Sequence, residues 1–528
     1  MQAMIKYRKT GSSVNTLHSH HEKRWIILGV MSLSLIIVML NNVTLNVALP
    51  NLALDLQLKS NSEMQWIVDA YALIFGGTLL VMGSLGDRFG RRSALQVGLV
   101  ILASSAGWAA FYAETANQVI AARAMMGLGA ALVMPATLSI VIVVFPKEER
   151  GKAIGIWAAM AGIGAPIGLL VGGYIMEHYD WQTVFLINIP IIFLALVAGA
   201  IFVPESKETK STPLDWIGSV LSIITLSAIL YGIIEGPNLG WDSNKVIAAF
   251  VIGIVSLISF IKWENKTPHP ILPMSFFSNR GYTVGLVAIS LAFFVMFSFM
   301  FMQMLHFQLV RGYSPLEAAI RFFPLPFGLM PAAANSDKLV SKFGVNRVVG
   351  TGLILVTLAL VIFSQVTMDT PYIILAVVFW FLGLGMGLTM APSTTVVMDA
   401  IPDDKAGVGS ATNDASREVG GALGIAIGGS ALNELYQRTI VIPDGLGHLT
   451  NDINKSFPEA IRLGQKLKME GDPAGEILIE NARLAFIEGM QASSIIAGII
   501  ALSASIFAYR MMPKKVIATE VKQLKEEE

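Results

Sequence analysis

Few ionisable residues fall inside the long apolar runs of this 528-residue chain, and those few are placed where they can do chemistry. Asp69 stands in QWIVDAYAL, Arg123 in AARAMMGLGAALVMP, and Asp414, Arg417 and Glu418 in SATNDASREVGG. A charge near the centre of a bilayer costs about 2.5–3.5 kcal/mol on insertion scales, so such a residue is functional or paired. Asp414 and Glu418 are four apart and share one helix face. Charging one therefore opposes charging the other, which suits a group that takes up and releases protons or a cation. Arg417 points about 100° away from Glu418. Each residue also has a structural reading: a polar face against another helix for Asp414 and Glu418, an interfacial hydrogen bond for Asp69, an ion pair for Arg123. Arg321 is read as structural.

A second concentration of charge lies at one membrane edge, in GSLGDRFGRR. Gly83, Gly86 and Gly90 let the backbone turn tightly and let another helix approach. Asp87, Arg88, Arg91 and Arg92 supply charges that can pair with partners or with helix ends.

These residues need apolar elements to hold them. The chain is 54% hydrophobic and 14% charged, where a soluble protein carries about 25% charge. It is read as an all-α integral membrane protein. Its formal net charge is zero, which gives no case for a nucleic-acid partner, and it has no cysteine, which excludes disulfides and thiol chemistry. Spanning the hydrocarbon takes about 20 residues. Fourteen stretches qualify, at about 25–50, 65–84, 93–113, 117–145, 151–177, 181–204, 214–236, 244–264, 282–310, 316–340, 347–368, 370–398, 407–434 and 485–511. With the N-terminus inside, the cytoplasmic loops carry fifteen Lys and Arg and the outer loops three, Lys59, Lys245 and Arg311. That asymmetry sets both termini in the cytoplasm. The polar segments 1–24 and 512–528 are read as cytoplasmic tails.

The run starting GLGAALVMPATLSIVIVVFP at Gly127 is echoed by GLGMGLTMAPSTTVVMDAIP at Gly383, with Pro135 and Pro392 one residue apart in register. Two similar halves are what a duplicated transporter fold predicts: a six-helix bundle over 25–204, another over 282–511, and a 205–281 linker with two inserted helices. Gly164, Gly168 and Gly172 repeat every fourth residue, as do Gly420, Gly424 and Gly428. Such stripes let two backbones approach, either as plain tight packing or as surfaces on which helices slide when the halves rock. Residues 435–484 are expected to form a long outer loop, with an amphipathic helix or hairpin over 451–470 that is either a solvated decoration or a lid. The ninth stretch carries Phe293, Phe294, Phe297, Phe299 and Phe301 with Met296, Met300, Met302 and Met304. It is read either as lipid-facing or as the lining of a cavity that admits many shapes.

The fourteen stretches, GSLGDRFGRR, and GIGAPIGLLVGG with Gly164, Pro166, Gly168, Gly172 and Gly173 together resemble the major facilitator superfamily. The likeness is to its fourteen-span drug:proton antiporters, which include the quaternary-ammonium efflux pumps. The resemblance implies a major facilitator fold. It also implies that Asp69 and Asp414 match carboxylates of those pumps in the second and thirteenth spans, and Arg123 the buried basic residue linked to proton transfer. In LNNVTLNVALP, Asn41 stands where that branch has an acid, and Asn cannot carry a proton. Leu169 follows Gly168 where the antiporter motif has proline.

The expected function is a secondary active multidrug exporter in a bacterial plasma membrane, moving lipophilic, cationic compounds in exchange for protons. The alternative is an exporter or flippase of an endogenous amphiphile, weakly coupled or uncoupled; a sensor or membrane enzyme is the third class. No nucleotide-binding loop or metal-ligand spacing is present in the sequence, so no cofactor or metal is expected and the proton gradient is the energy source. Lipophilic small molecules and membrane lipids are the expected partners, and the protein is expected to be a monomer.

Overall fold

A computed structural model describes residues 23–207, 215–401 and 406–514. The expected tails over 1–22 and 515–528, and Lys210 and Lys405 of the basic-residue count, lie outside the described residues. Among the described residues every regular element is helical. The helices are α1 (Arg24–Asp55), α2 (Asn61–Phe89), α3 (Arg91–Tyr112), α4 (Ala116–Val144), α5 (Lys147–His178) and α6 (Thr183–Phe202). The inserted pair is α7 (Trp216–Leu239) and α8 (Asn244–Glu264). Then come α9 (Arg280–Val310), α10 (Pro315–Ile320), α11 (Pro324–Phe343), α12 (Val345–Phe363), α13 (Tyr372–Asp399) and α14 (Ala406–Thr439). The last are α15 (Thr450–Lys455), α16 (Phe457–Met469) and α17 (Ala474–Met511).

Each of the fourteen apolar stretches is helical, but among the described residues ten helices are long and apolar enough to cross a membrane, or eleven counting α2, which is bent by 54° between Asn61–Leu79 and Val81–Phe89. The stretch at 316–340 is interrupted between α10 and α11. α14 is less apolar, holding Asn413, Asp414, Arg417, Glu418, Asn433 and Glu434 among its glycines.

Contacts sort the helices into two groups. In the first, α1 lies on α5, α4 on α2 and α3, and α3 on α6; in the second, α9 lies on α14, α11 on α13, and α12 on α13 and α17. The groups meet along two seams, α2 with α14 and α5 with α10, and α7 touches both α2 and α14. Gly90 (φ +131°) ends α2 and opens α3, and Gly344 (φ +86°) does the same between α11 and α12. Both sit where a side chain would be strained, at matching places in the two halves.

The glycine stripes lie inside the groups. Gly164 faces Met39, and Gly168 and Gly172 face Thr44 of α1; Gly420 and Gly424 face the backbone of Ser290 and Phe294 of α9, and Gly428 faces Ser298. A Cβ added at Gly164 would meet Met39 Cβ at 2.9 Å. Close packing within each half is therefore their structural role, and the two stripes do so on equivalent helix pairs. Pro166 is accommodated within α5. Gly173, next to the first stripe, instead crosses a seam to Leu316 and Ala319.

The expected 435–484 loop is shorter, because α14 continues to Thr439 and α17 begins at Ala474. The segment between them folds back on the bundle. Ile453, Phe457 and Ile461 are buried, Phe457 stacks on Phe486 at 4.4 Å, and its N–H donates to Asn61 Oδ1 at 3.1 Å. Pro458 starts α16 rather than breaking it. Below, this end is the loop face and the other the termini face.

Overpacking at a backbone contact costs about 1–3 kcal/mol or more. Gly424→Val is expected to abolish the monodisperse peak of detergent-solubilised protein in size-exclusion chromatography. Gly447→Ala, whose Cβ would meet nothing within 4 Å, is expected to leave it unchanged.

Candidate functional site

The α2–α14 seam is fixed by two close approaches to glycine. Gln65 lies against Gly429, and Glu418 Cβ lies 3.0 Å from where a Cβ on Gly76 would sit. The helices run antiparallel, and Gln65, Asp69 and Gly76 share one face of α2 by helical spacing. Asp69 thus projects into the seam between these contacts. It is fully buried, and among the described residues neither carboxylate oxygen has a hydrogen-bond partner. Both side-chain polar atoms of Gln65, one turn away, are also buried and unpartnered.

Arg123 is 1% exposed and faces α1 and α2. Its Nε donates to Ile67 O at 3.2 Å, its NH1 to Asn41 O at 3.0 Å, and the guanidinium lies 4.4 Å over the Tyr71 ring. Its NH2 is buried and, among the described residues, has no partner. Asn41 is held by its backbone oxygen on Arg123 and by Nδ2, which donates to Ile37 O at 2.9 Å. Glu418 is 7% exposed, with Oε2 unpartnered, and lies within electrostatic reach of both Arg123 and Tyr71. Charge interaction thus crosses from the first group to the second here.

Asp414 is not a free acid. Arg417 NH1 lies 3.3 Å from its Oδ1, an i,i+3 pair, while Arg417 NH2 donates to Thr394 Oγ1 and the guanidinium lies 5.6 Å over Phe293. The seam register places Asp414 about eleven residues, roughly 16 Å, nearer the termini face than Asp69. The structure therefore divides the sequence candidates: Asp69 enclosed in the seam, Arg123 with Asn41 and Glu418 at its middle, Asp414 with Arg417 at its edge.

The aromatic helix α9 splits by face. Phe293, Met296, Phe297 and Met300 fall at i, i+3, i+4 and i+7 and are half-buried, whereas Phe294, Phe299, Phe301, Met302 and Met304 are buried in packing. Phe299 sits among Phe363 and Phe379. Phe293 and Phe297 contact each other at 5.8 Å, and Phe297 covers Gly421 of α14. This open face, with Asp414 and Arg417 beside it, joins apolar rings to a carboxylate.

The GSLGDRFGRR segment forms a helix junction. Gly83 rests on Pro135 of α4 and Gly86 on Ala94. Asp87 pairs with Arg91 at 2.6 Å, and Arg88 is exposed, its guanidinium 5.6 Å from the Phe89 ring. Sequence reading missed Glu205, taken as linker. It binds the start of α3: Arg92 N donates to Oε1 at 3.2 Å and Ser93 Oγ to Oε2 at 2.6 Å, a carboxylate at a helix N-terminus. Also missed were Tyr71 and Gln65. Helical spacing of Gln65 from Asp69 is the one signal that was available.

The named contacts between the groups lie from the seam's middle to the loop face. Asn61 Nδ2 donates to Asn433 Oδ1 at 2.8 Å, Gln308 Nε2 to Val47 O at 2.9 Å, and Ser314 Oγ to Glu177 Oε2 at 3.0 Å. Gln308 belongs to a π-helical turn, His306–Val310, at the end of α9, a feature frequent at functional sites.

A lysine at 123 cannot reproduce two diverging donors plus ring stacking, and a hydrogen bond from a charged group is worth about 1.5–3 kcal/mol. Arg123→Lys is expected to lower the thermal unfolding midpoint measured by intrinsic fluorescence in detergent.

Residues 31–425 match the model of the Major Facilitator Superfamily. Multidrug efflux pump LfrA of Mycolicibacterium smegmatis is 32% identical over 487 residues, covering 92% of this chain and 95% of that protein. Methyl viologen resistance protein SmvA of Salmonella typhimurium is 31% identical, covering 88% and 93%. In fold, the chain is similar to the crystal structure of a bacterial homologue of the human lysosomal transporter Spinster in its inward-facing, unoccupied conformation. The TM-score is 0.65 at 16% identity, over 93% of this chain and 97% of that one. The chain belongs to the Major Facilitator Superfamily and is a transporter rather than an enzyme.

Proposed function

We propose that the protein exports lipophilic, cationic compounds from a bacterial cell in exchange for protons, by alternating access of a site between its two helix groups. The observation that carries this is the enclosed, unpartnered carboxyl of Asp69 on a seam between the groups. Enclosed, it reaches no water, so it exchanges a proton only when the seam parts. Parting the seam is also what exposes one face or the other to substrate. Asp414 and Glu418 offer carboxylates near the open aromatic face of α9, which suits a cation with apolar bulk. The names of the relatives, a multidrug efflux pump and a methyl viologen resistance protein, support the same class of cargo.

All fourteen helical stretches cross the membrane in this reading, and the termini face is cytoplasmic, following the excess of Lys and Arg on that side. With contacts concentrated toward the loop face, the conformation is open inward. Arg123, anchored on Asn41 O, holds α1, α2 and α4 together and places a fixed positive charge opposite Glu418. Asn41 itself holds no proton, so the exchange uses the remaining carboxylates. A monomer surrounded by lipid suffices for this cycle, and the proton gradient drives it.

A second reading, an exporter of an endogenous amphiphile with weak coupling, is favoured by Asn41 and Leu169 at positions where the antiporter pattern differs.

Proteoliposomes loaded with a fluorescent organic cation separate the two. Transport is expected to follow an imposed pH gradient and to stop when the gradient is collapsed. Asp69→Asn and Glu418→Gln are each expected to lower gradient-driven transport at least about tenfold, equivalent to 1.4 kcal/mol, with Asn41→Asp at or above the parent. Transport indifferent to the gradient, with both variants matching the parent, would overturn proton exchange and favour the amphiphile reading.

A further inference from the structure

The inserted helices carry an acid pair that the exchange cycle does not use. Asp215 caps α7 at the termini face, with Oδ1 accepting from Gly218 N at 2.8 Å and from Trp263 Nε1 at 2.7 Å. Glu264 ends α8, with Oε2 accepting from Leu272 N at 2.9 Å in the connection to α9. Asp215 is 7% and Glu264 3% exposed.

The second oxygen of each carboxyl is buried and, among the described residues, has no donor. Both oxygens, Asp215 Oδ2 and Glu264 Oε1, crowd the place where a Cβ on Gly218 would sit, so they converge on one point. The two side chains are within hydrogen-bond reach of each other. Among the described residues the basic groups on the elements around them are Lys207 ahead of α7, Lys262 of α8, and Lys266 and His269 of the connection. All four are exposed, and among the described residues neither carboxyl forms an ion pair.

Two ionised carboxylates in this arrangement would repel each other with no cation between them, and two bare oxygens cannot bond. One proton resolves both problems. An O–H···O⁻ bond is short and among the stronger hydrogen bonds, and every other oxygen of the pair already has a donor.

We propose that Asp215 and Glu264 form a proton-binding site, sharing one proton between Asp215 Oδ2 and Glu264 Oε1, and that this proton clamps the inserted pair. The clamp ties the start of α7 to the end of α8 and, through Leu272, to the connection that leads into α9. Because α7 lies on both α2 and α14, the clamp sits at the foot of a strut against the seam. Losing the proton leaves two buried negative charges facing each other and loosens that foot.

Glu264→Gln replaces the shared proton with an amide donor and should mimic the clamped state permanently; Asp215→Asn does the same from the other side. In the full-length protein in nanodiscs, the parent minus Glu264→Gln infrared difference spectrum is expected to show the C=O stretch of one protonated carboxyl. The thermal midpoint of the parent is expected to fall from mildly acid to mildly alkaline pH more steeply than that of either variant. Absence of the carboxyl band from the difference spectra of both variants would overturn the proposal, as would an equal pH slope in parent and variants. Stabilisation of the parent, but not of Glu264→Gln, by sodium or potassium at fixed pH would also overturn it, marking a bound cation in the proton's place. Where neither variant folds, a parent midpoint that is flat or rises toward alkaline pH overturns it alone.

Discussion

The α2–α14 seam depends on glycine. Gly76 admits Glu418 and Gly429 admits Gln65, each so close that an added Cβ would make its neighbour shift. Two helices brought this close shut the polar groups between them off from bulk solvent. The polar groups they carry at that point, Gln65, Asp69 and Glu418, are therefore buried with oxygens or nitrogens unsatisfied. Such groups are costly in a closed interface. An interface that must open regains that cost whenever water or a ligand enters, so the unsatisfied atoms bias the seam toward opening. The apolar surface along it, with Ala72, Leu73, Ala422 and Ala426 buried beside Leu230 and Ile234 of α7, biases it toward closure. The balance of the two is what the alternating-access cycle proposed above requires.

The inserted pair enters this balance through α7 rather than α8. Ser430 Oγ donates to Ile233 O, Asn433 Nδ2 to Asn238 Oδ1, and Trp66 Nε1 to Glu235 Oε1, so α7 is hydrogen-bonded to both sides of the seam. Asn61, Asn433, Asn238 and Gln437 extend these bonds into a network at the loop face, and the Phe457 N–H joins it. A side-chain network of this kind has few alternative arrangements. It closes one end of the seam as a unit, and it must break as a unit if that end is to open.

Much of this was legible in the sequence. Every long apolar stretch is a helix, because a segment without access to water must satisfy its backbone internally. Asp69 and Arg123 stood out because charge in an apolar run has few structural excuses. The pairing of Asp414 with Arg417 was not read, since i,i+3 and i,i+4 partners compete and Thr394 and Phe293 of other helices decide between them. The aromatic helix was read whole, although its alternation of half-buried and buried rings follows the helical period and was there to be counted. Glu205 could not have been found locally: it binds Ser93, 112 residues earlier, and only the fold brings them together. The glycine stripes were ambiguous for a related reason. Spacing shows that one face is bare, and only the partner shows whether that face moves.

In the proposed cycle the division of labour among the acids follows from depth. Asp414 at the seam's edge keeps a cation partner and partial exposure, so in that cycle it would meet an arriving charge without any helix moving. Glu418 faces Arg123 across the middle, where the attraction between them strengthens as the groups approach and weakens as they part. Asp69 is sealed beyond both. A cargo cation drawn to the edge would compete with Arg417 for Asp414, and would do so beside Phe293, which Arg417 now covers. Displacing that arginine frees a ring face and a carboxylate together. In the proposed cycle geometry sets the order: cargo would meet the partly exposed pair first, and the enclosed carboxyl would change its proton only after the seam has moved.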